Sequence, residues 1–166
     1  MEYSGRLHSV DLSKDGRIIA IGDSYHNKKT GRVKVFEDVS GNWTRLGENI
    51  YGEFGGDEFG NSLSLSADGA ILAAGAYYYK NSTGSVRIFQ YNGGNWTQIG
   101  GTLVGGLGHR KFGFSLSISA NGTRIAVASP TTVGDIWNCS HYVPLHPLDD
   151  AINYQEWVEV AKEQGY

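Results

Sequence analysis

The 166-residue chain has one cysteine, three prolines and no long apolar segment. A single cysteine, Cys139, excludes an intramolecular disulfide and a multi-cysteine zinc site. No window approaches the ~18 apolar residues of a membrane span, and the first residues lack the basic and apolar regions of a signal peptide. We therefore expect no membrane insertion, and we find no export signal in this chain.

The chain also lacks an excess of charge of one sign. Lys and Arg number 14, Asp and Glu number 17, and the formal net charge is −3, with the two signs interspersed. A basic stripe or patch is the electrostatic footprint of a nucleic-acid-binding protein. The sequence therefore predicts no nucleic-acid partner.

Glycine, in contrast, is abundant. The 24 glycines amount to about twice the ~7% of average proteins, without the three-residue period of collagen. They belong to a repeat with an offset of 53 residues. Asp15-Gly16 recurs as Asp68-Gly69 and as Asn121-Gly122, and Asn42-Trp43-Thr44 recurs as Asn95-Trp96-Thr97. We place the repeats at residues 6–58, 59–111 and, incomplete, 112–143.

Each repeat has the pattern of a short antiparallel sheet. Ser62 to Ser66 alternates serine with leucine, which is typical of a half-buried strand. Asp68-Gly69 then predicts a hairpin turn, and the apolar run Ile71 to Ala76 predicts a buried strand. Two further strands follow, near Gly84–Phe89 and Trp96–Gly100. Four strands in about 53 residues predict a propeller blade, so the fold class is all-β, a partial β-propeller.

These motifs resemble a known repeat. Phe59-Gly60 opens a strand, an Asp-Gly turn follows, and Ala74-Gly75-Ala76 closes the next strand, as in the FG-GAP repeat of integrin α-type propellers. Kelch-type blades are the alternative, since their period is ~50 residues. The resemblance implies blades rather than a particular ligand. It also implies an extracellular or cell-surface location if the chain is a fragment of a typical family member.

Two and a half repeats cannot close a propeller of 4 to 8 blades. The chain is then a piece of a larger propeller, a truncated product or a partial propeller that pairs with another copy. An open blade edge would expose unpaired strand groups, so we expect possible self-association there. After the blade domain, residues 1–143, the tail 144–166 has helical spacing from Asp149 onward and predicts an amphipathic C-terminal α-helix.

The sequence offers little for chemistry. The loop equivalent to a calcium-binding loop keeps one carboxylate, Asp68, where several would be needed to hold a hard cation. The five histidines show no metal-ligand spacing, and the glycine run 100–108 lacks the Lys-Ser/Thr of a phosphate loop. We therefore predict no catalytic residue, no cofactor and no metal.

The loop surface is the remaining candidate. The loop after the second strand and the link to the next blade should emerge on the same face, and both contain tyrosines or charged residues. Exposed aromatic side chains suit protein or glycan binding, although packing against the blade is an equal alternative. The candidate contact residues are Tyr25, His26, Asp57, Glu58, Tyr77, Tyr78, Tyr79, Lys80, His109 and Arg110.

Five asparagines lie in Asn-x-Ser/Thr sequons. Turn chemistry explains their positions equally well, and glycosylation would require export. They are Asn42, Asn81, Asn95, Asn121 and Asn138.

The sequence thus favours a non-enzymatic binding module that contacts a protein or glycan through its loop face. A degenerate or structural repeat without its own ligand is the alternative. A propeller-type hydrolase or lyase is less favoured, because the first strands supply mainly Ser and Leu.

Overall fold

The computed structural model describes residues 8–106 and 111–130 in full and the backbone of residues 137–144. These residues form three antiparallel sheets, one per repeat, which we call blades 1 to 3. The predicted helical tail lies outside the described residues, except for Pro144, where the last strand ends. Within the described part of the chain, no helix is long and apolar enough to cross a membrane.

The strands follow the 53-residue offset. Blade 1 consists of β1 Ser9–Leu12, β2 Ile18–Asp23, β3 Arg32–Val39, β4 Asn42–Arg45 and β5 Ile50–Tyr51. Blade 2 consists of β6 Leu63–Leu65, β7 Ile71–Ala76, β8 Ser85–Tyr91, β9 Trp96–Gln98 and β10 Leu103–Val104. Blade 3 consists of β11 Ser115–Ile118, β12 Arg124–Pro130 and β13 Trp137–Pro144. Two four-residue turns, α1 His26–Lys29 and α2 Tyr79–Ser82, join the second strand to the third in blades 1 and 2.

The fourth strand of each complete blade is interrupted, which the repeat pattern does not predict. In blade 1, β4 pairs with residues 36–39 of β3, whereas β5 pairs with Arg32 and Val33 of the same strand. In blade 2, β9 and β10 pair with β8 in the same way. The outermost strand is therefore one broken strand, and the four-stranded blade is otherwise as predicted.

The blades pack face to face through two apolar cores that repeat one another. Between blades 1 and 2, the Ala20, Val33 and Val35 side chains of blade 1 face those of Leu63, Leu65 and Leu72. Between blades 2 and 3, Ala73, Val86 and Ile88 take the corresponding places and face Phe112, Ile118 and Ile125. Each blade thus uses one face for the blade before it and the other for the blade after it.

The Phe-Gly motif is where neighbouring blades come closest. A β-carbon on Gly22 of blade 1 would lie 2.0 Å from the Gly60 carbonyl oxygen of blade 2, and Gly60 has φ +81°, which favours glycine. A β-carbon on Gly75 would lie 2.3 Å from the Gly113 carbonyl oxygen of blade 3. The glycines of both motifs therefore allow the backbones of adjacent blades to meet.

The recurrent tryptophans differ in burial. Trp96 is 7% exposed, and its indole Nε1 donates to the Leu46 carbonyl oxygen of blade 1 at 2.9 Å. The expectation that these tryptophans pack between blades therefore holds for Trp96. It is wrong for Trp43, which is 51% exposed, because the described residues place no blade before blade 1.

Candidate functional site

The loops between the second and third strands hold an unusual backbone conformation. Three consecutive non-glycine residues have positive φ in blade 1, with values of 45° to 64° over residues 27–29, and the same holds over residues 80–82. Left-handed backbone costs roughly 1–2 kcal/mol per residue in L-amino acids, and such strain concentrates at functional sites. Blades 1 and 2 therefore hold the same strained turn, and the turn fixes the position of the tyrosines that precede it.

The tyrosines of these loops gather at one end of the blades with two lysines. The Tyr77 and Tyr78 rings lie 4.4 Å apart, and the Lys111 Nζ lies 5.3 Å from the Tyr78 centroid. The Lys29 Nζ lies 4.7 Å from the Tyr25 ring centroid. We call this group the tyrosine cluster; it comprises Tyr25, Tyr77 and Tyr78 with Lys29, Glu58, Lys111 and Phe114.

Glu58 is the polar centre of the tyrosine cluster. It is buried and also has positive φ. Its carboxylate accepts a hydrogen bond from Lys29 Nζ at 2.8 Å and another from the Tyr77 hydroxyl at 2.7 Å. Burial and the hydrogen bond to Glu58 raise the pKa of the Tyr77 phenol, while the hydrogen bond to Glu58 raises the pKa of Lys29. Glu58 thus joins blade 1 to blade 2 and favours the protonated form of both donors.

The cluster spans all three blades. His8 stacks on Tyr25 with centroids 4.7 Å apart and shares a 2.8 Å hydrogen bond with Ser24 in blade 1. The rings of Tyr77 and Phe114, which belongs to the repeat of blade 3, make a T-shaped contact with centroids 5.5 Å apart. Lys29, Lys111 and Phe114 were not predicted as contact residues. The 53-residue offset identifies Lys111 as a candidate, because it occupies the position of the predicted contact residue Glu58 one repeat later.

The other predicted contact residues lie in different places. Tyr79 is buried in the core between blades 1 and 2. Of the two alternatives, partner binding and packing against the blade, it therefore follows the second. Asp57 is buried, and burial raises its pKa. His26 is half-buried beside Tyr51, whereas Lys80 is exposed, 5.2 Å from the Tyr79 ring centroid. His109 and Arg110 lie outside the described residues.

A second polar group, not predicted from the sequence, surrounds Arg87. The guanidinium stacks on Phe59 at 4.2 Å, lies 3.7 Å from Glu53 and donates to the Tyr51 carbonyl oxygen. Burial lowers the pKa of Arg87. Asp57 lines the same small recess and accepts a hydrogen bond from the Phe54 amide at 3.2 Å. Arg87 also lines this recess, and its hydrogen bond to Tyr51 ties blade 2 to the β5 strand of blade 1.

Within residues 8–106 and 111–130, no three His, Cys, Asp or Glu side chains come together as a metal site would require. The sequon residues Asn42, Asn81, Asn95 and Asn121 are exposed, and the side chain of Asn138 lies outside the description. Asn95 and Asn121 both accept hydrogen bonds from nearby amides. Those contacts favour the turn interpretation for these two positions, and glycosylation stays a prediction.

No family model and no curated protein matches the chain. Among solved structures, it is similar to a candidate 6-phosphogluconolactonase from Bacteroides uniformis ATCC 8492, with 17% identity over 89% of this chain and 43% of that one and a TM-score of 0.52. It is similar to Kuenenia stuttgartiensis hydrazine synthase, with 13% identity over 86% and 46% of the two chains and a TM-score of 0.51. The WD40 repeats of RRP9 match with 12% identity over 86% and 40% and a TM-score of 0.51.

The chain therefore spans less than half the length of each of these structures. Identities this low show the fold alone. The fold is an unclosed array of antiparallel, propeller-type blades.

Proposed function

We propose that this chain is a non-enzymatic propeller-repeat module of the FG-GAP type, and that it binds a protein partner through the tyrosine cluster. The observation that carries the proposal is the meeting of tyrosine, lysine and phenylalanine side chains from three repeats at one end of the blades. Tyrosine supplies a large contact area with little loss of conformational entropy, and such residues dominate protein interfaces.

The FG-GAP assignment is supported by what the motif glycines do. Gly75 of blade 2 lies against the backbone of Gly113, and Gly22 of blade 1 lies against that of Gly60. Each Phe-Gly therefore docks on the glycine that closes the second strand of the preceding blade. Kelch-type blades are the alternative, and no contact here favours them.

Between a protein and a glycan, the ring contacts favour a protein. A sugar that stacks on tyrosine needs an open ring face. The Tyr25 face already carries the Lys29 ammonium, and Tyr77 and Tyr78 share the Lys111 ammonium. A protein surface with acidic and apolar side chains can instead pair with these lysines while it packs on the ring edges.

The experiment selects peptides from a displayed random library on the intact chain and tests an immobilised glycan array in parallel. We expect acidic, aromatic-containing peptides whose binding falls at least tenfold in Tyr78→Ala and in Lys111→Glu. Arg17→Glu is the matched control, since Arg17 is exposed in the turn at the opposite end of blade 1. Peptides whose affinity is unchanged in both Tyr78→Ala and Lys111→Glu would overturn the proposed site. Glycan binding that depends on Tyr78 would instead assign the cluster to a sugar.

A further inference from the structure

Blade 1 exposes the same sheet face that blades 2 and 3 bury. Val10 is 64% exposed, whereas its counterpart one repeat later, Leu63, is 9% exposed. Leu12 is likewise exposed, although Leu65 and Ile118 at the equivalent positions are buried. With Trp43 these side chains form an apolar surface, which we call the free face of blade 1. Surfaces of this kind mark interaction sites.

The chain itself shows what covers such a face. In blade 2 it is covered by the opposite face of the preceding blade, whose Val33, Val35 and Ile50 are buried in the shared core. The Asn-Trp pair adds polar contacts: Asn95 Oδ1 accepts a hydrogen bond from the Glu48 amide at 3.0 Å, and Trp96 donates to Leu46. Blade 1 carries the same pair as Asn42 and Trp43, and both are exposed. The free face is therefore built to receive another blade.

A series of backbone hydrogen bonds gives the alignment. The Lys14 amide donates to the Ala67 carbonyl oxygen, and the Ala67 amide donates to the Ala120 carbonyl oxygen, both at 2.9 Å. These three residues are equivalent positions of blades 1, 2 and 3. Among the described residues the series stops at the Lys14 carbonyl group on one side and at the Ala120 amide on the other. A second copy can continue it by placing its Ala120 beside Lys14.

We propose that the free face of blade 1 binds the outer face of blade 3 of a second copy of this chain, so that two copies form one six-bladed ring. Six blades lie within the 4 to 8 of closed propellers. This chain covers 43%, 46% and 40% of the three similar structures, so two copies approach the length of each of those chains. A head-to-tail contact that closes after two copies gives a two-fold symmetric dimer with two identical interfaces. The proposal is independent of the function proposed for the tyrosine cluster.

Cysteine cross-linking tests both the dimer and its alignment. In a Cys139→Ser background, Lys14→Cys with Ala120→Cys should give a disulfide-linked dimer under oxidation, with a 14–120 peptide in the mass spectrum. Lys14→Cys with Ala67→Cys is the matched control, because the same hydrogen bond joins these residues within one chain, and it should give a disulfide-linked monomer. If that control stays reduced, a short bismaleimide replaces the oxidant for both pairs.

Mixing the two single variants separates the possible arrangements. Lys14→Cys mixed with Ala120→Cys should form a covalent heterodimer, whereas Lys14→Cys alone should not link to itself. A 14–14 link would overturn the head-to-tail arrangement. Open polymers that grow with concentration would overturn ring closure.

Sedimentation equilibrium of the unmodified chain completes the test. We expect a monomer–dimer equilibrium whose dissociation constant rises at least tenfold in Leu12→Asp. Thr97→Asp, at an exposed position on the outer strand of blade 2, should leave it unchanged. Because Leu12 is exposed, its substitution should preserve the far-ultraviolet circular dichroism. A monomer at all concentrations would show that another segment or partner covers the face, and it would overturn the proposal.

Discussion

At the scale of single residues, the hairpin turn of each blade depends on one short side chain. Asp68 Oδ1 accepts hydrogen bonds from the Ser66 hydroxyl at 2.6 Å and the Ala70 amide at 3.0 Å. In blade 3, Asn121 makes the same two kinds of contact, to Ser119 and Thr123. The hydrogen bond from Ser66, followed by that from Ala70, lowers the pKa of Asp68. The turn thus needs an acceptor oxygen, and the charge adds a dependence on pH.

We predict that Asp68→Asn keeps most of the stability at pH 7 and removes part of the loss in acid. Because the folded pKa of Asp68 lies below its unfolded value of about 3.9, its contribution is present above that pH. It is lost as the pH falls through the folded pKa. Urea unfolding at pH 7 and near pH 3 measures the difference.

Asp68→Ala is the control, because it removes the acceptor as well as the charge. It should cost about 1 kcal/mol at pH 7. Equal losses at pH 7 for the asparagine and alanine variants would show that the charge, and not the acceptor, holds the turn.

At the scale of strands, the sequence alone predicts a four-stranded blade but not the break in its outer strand. Alternating residues such as Ser62 to Ser66 and the Asp-Gly turns depend on local chemistry, so they predict the first two strands. The break at residues 46–49 depends on distant contacts instead. There the Glu48 amide and the Leu46 carbonyl group bind Asn95 and Trp96, about one repeat away in sequence. No pattern within residues 46–49 predicts that they contact Asn95 and Trp96.

Gly75→Ala tests the close contact between strands of adjacent blades. Its β-carbon would lie 2.2 Å from Ser62 Oγ and 2.3 Å from the Gly113 carbonyl oxygen, and the backbone of blade 3 cannot yield as a flexible side chain can. We expect a loss of about 1–3 kcal/mol in the free energy of unfolding, typical of overpacking, measured by urea denaturation.

Gly94→Ala is the matched control, since its β-carbon would lie 3.9 Å from the nearest atom, Asn92 Oδ1. It should change stability by less than about 0.5 kcal/mol. Equal effects of the two substitutions would contradict the role of the glycine contact.

At the scale of the whole molecule, the repeat predicts which loops share an end but not which side chains meet there. Tyr77 and Tyr78 join the tyrosine cluster, yet their neighbour Tyr79 turns into the core. The left-handed residues 80–82 redirect the chain at that point, and of these three only the asparagine favours that conformation. Trp43 and Trp96 share one sequence context but differ in burial, because burial depends on a neighbouring blade and not on the residue itself.

That dependence on neighbours predicts unequal stability along the array. Blade 2 has a blade on each face, whereas no blade among the described residues covers the free face of blade 1. In repeat arrays, stability is roughly the sum of each unit and its interfaces. Strands β2 and β7 form a matched pair, since they pair with β3 and β8 in the same register. In dilute protein, amides of Leu72 and Ala74 should exchange hydrogen at least about tenfold more slowly than those of Ile19 and Ile21. Mass spectrometry of peptic peptides measures this, and a higher protein concentration should slow only β2 as a second copy covers its face. Equal exchange in the two strands at every concentration would mean that the uncovered face does not lower the stability of blade 1.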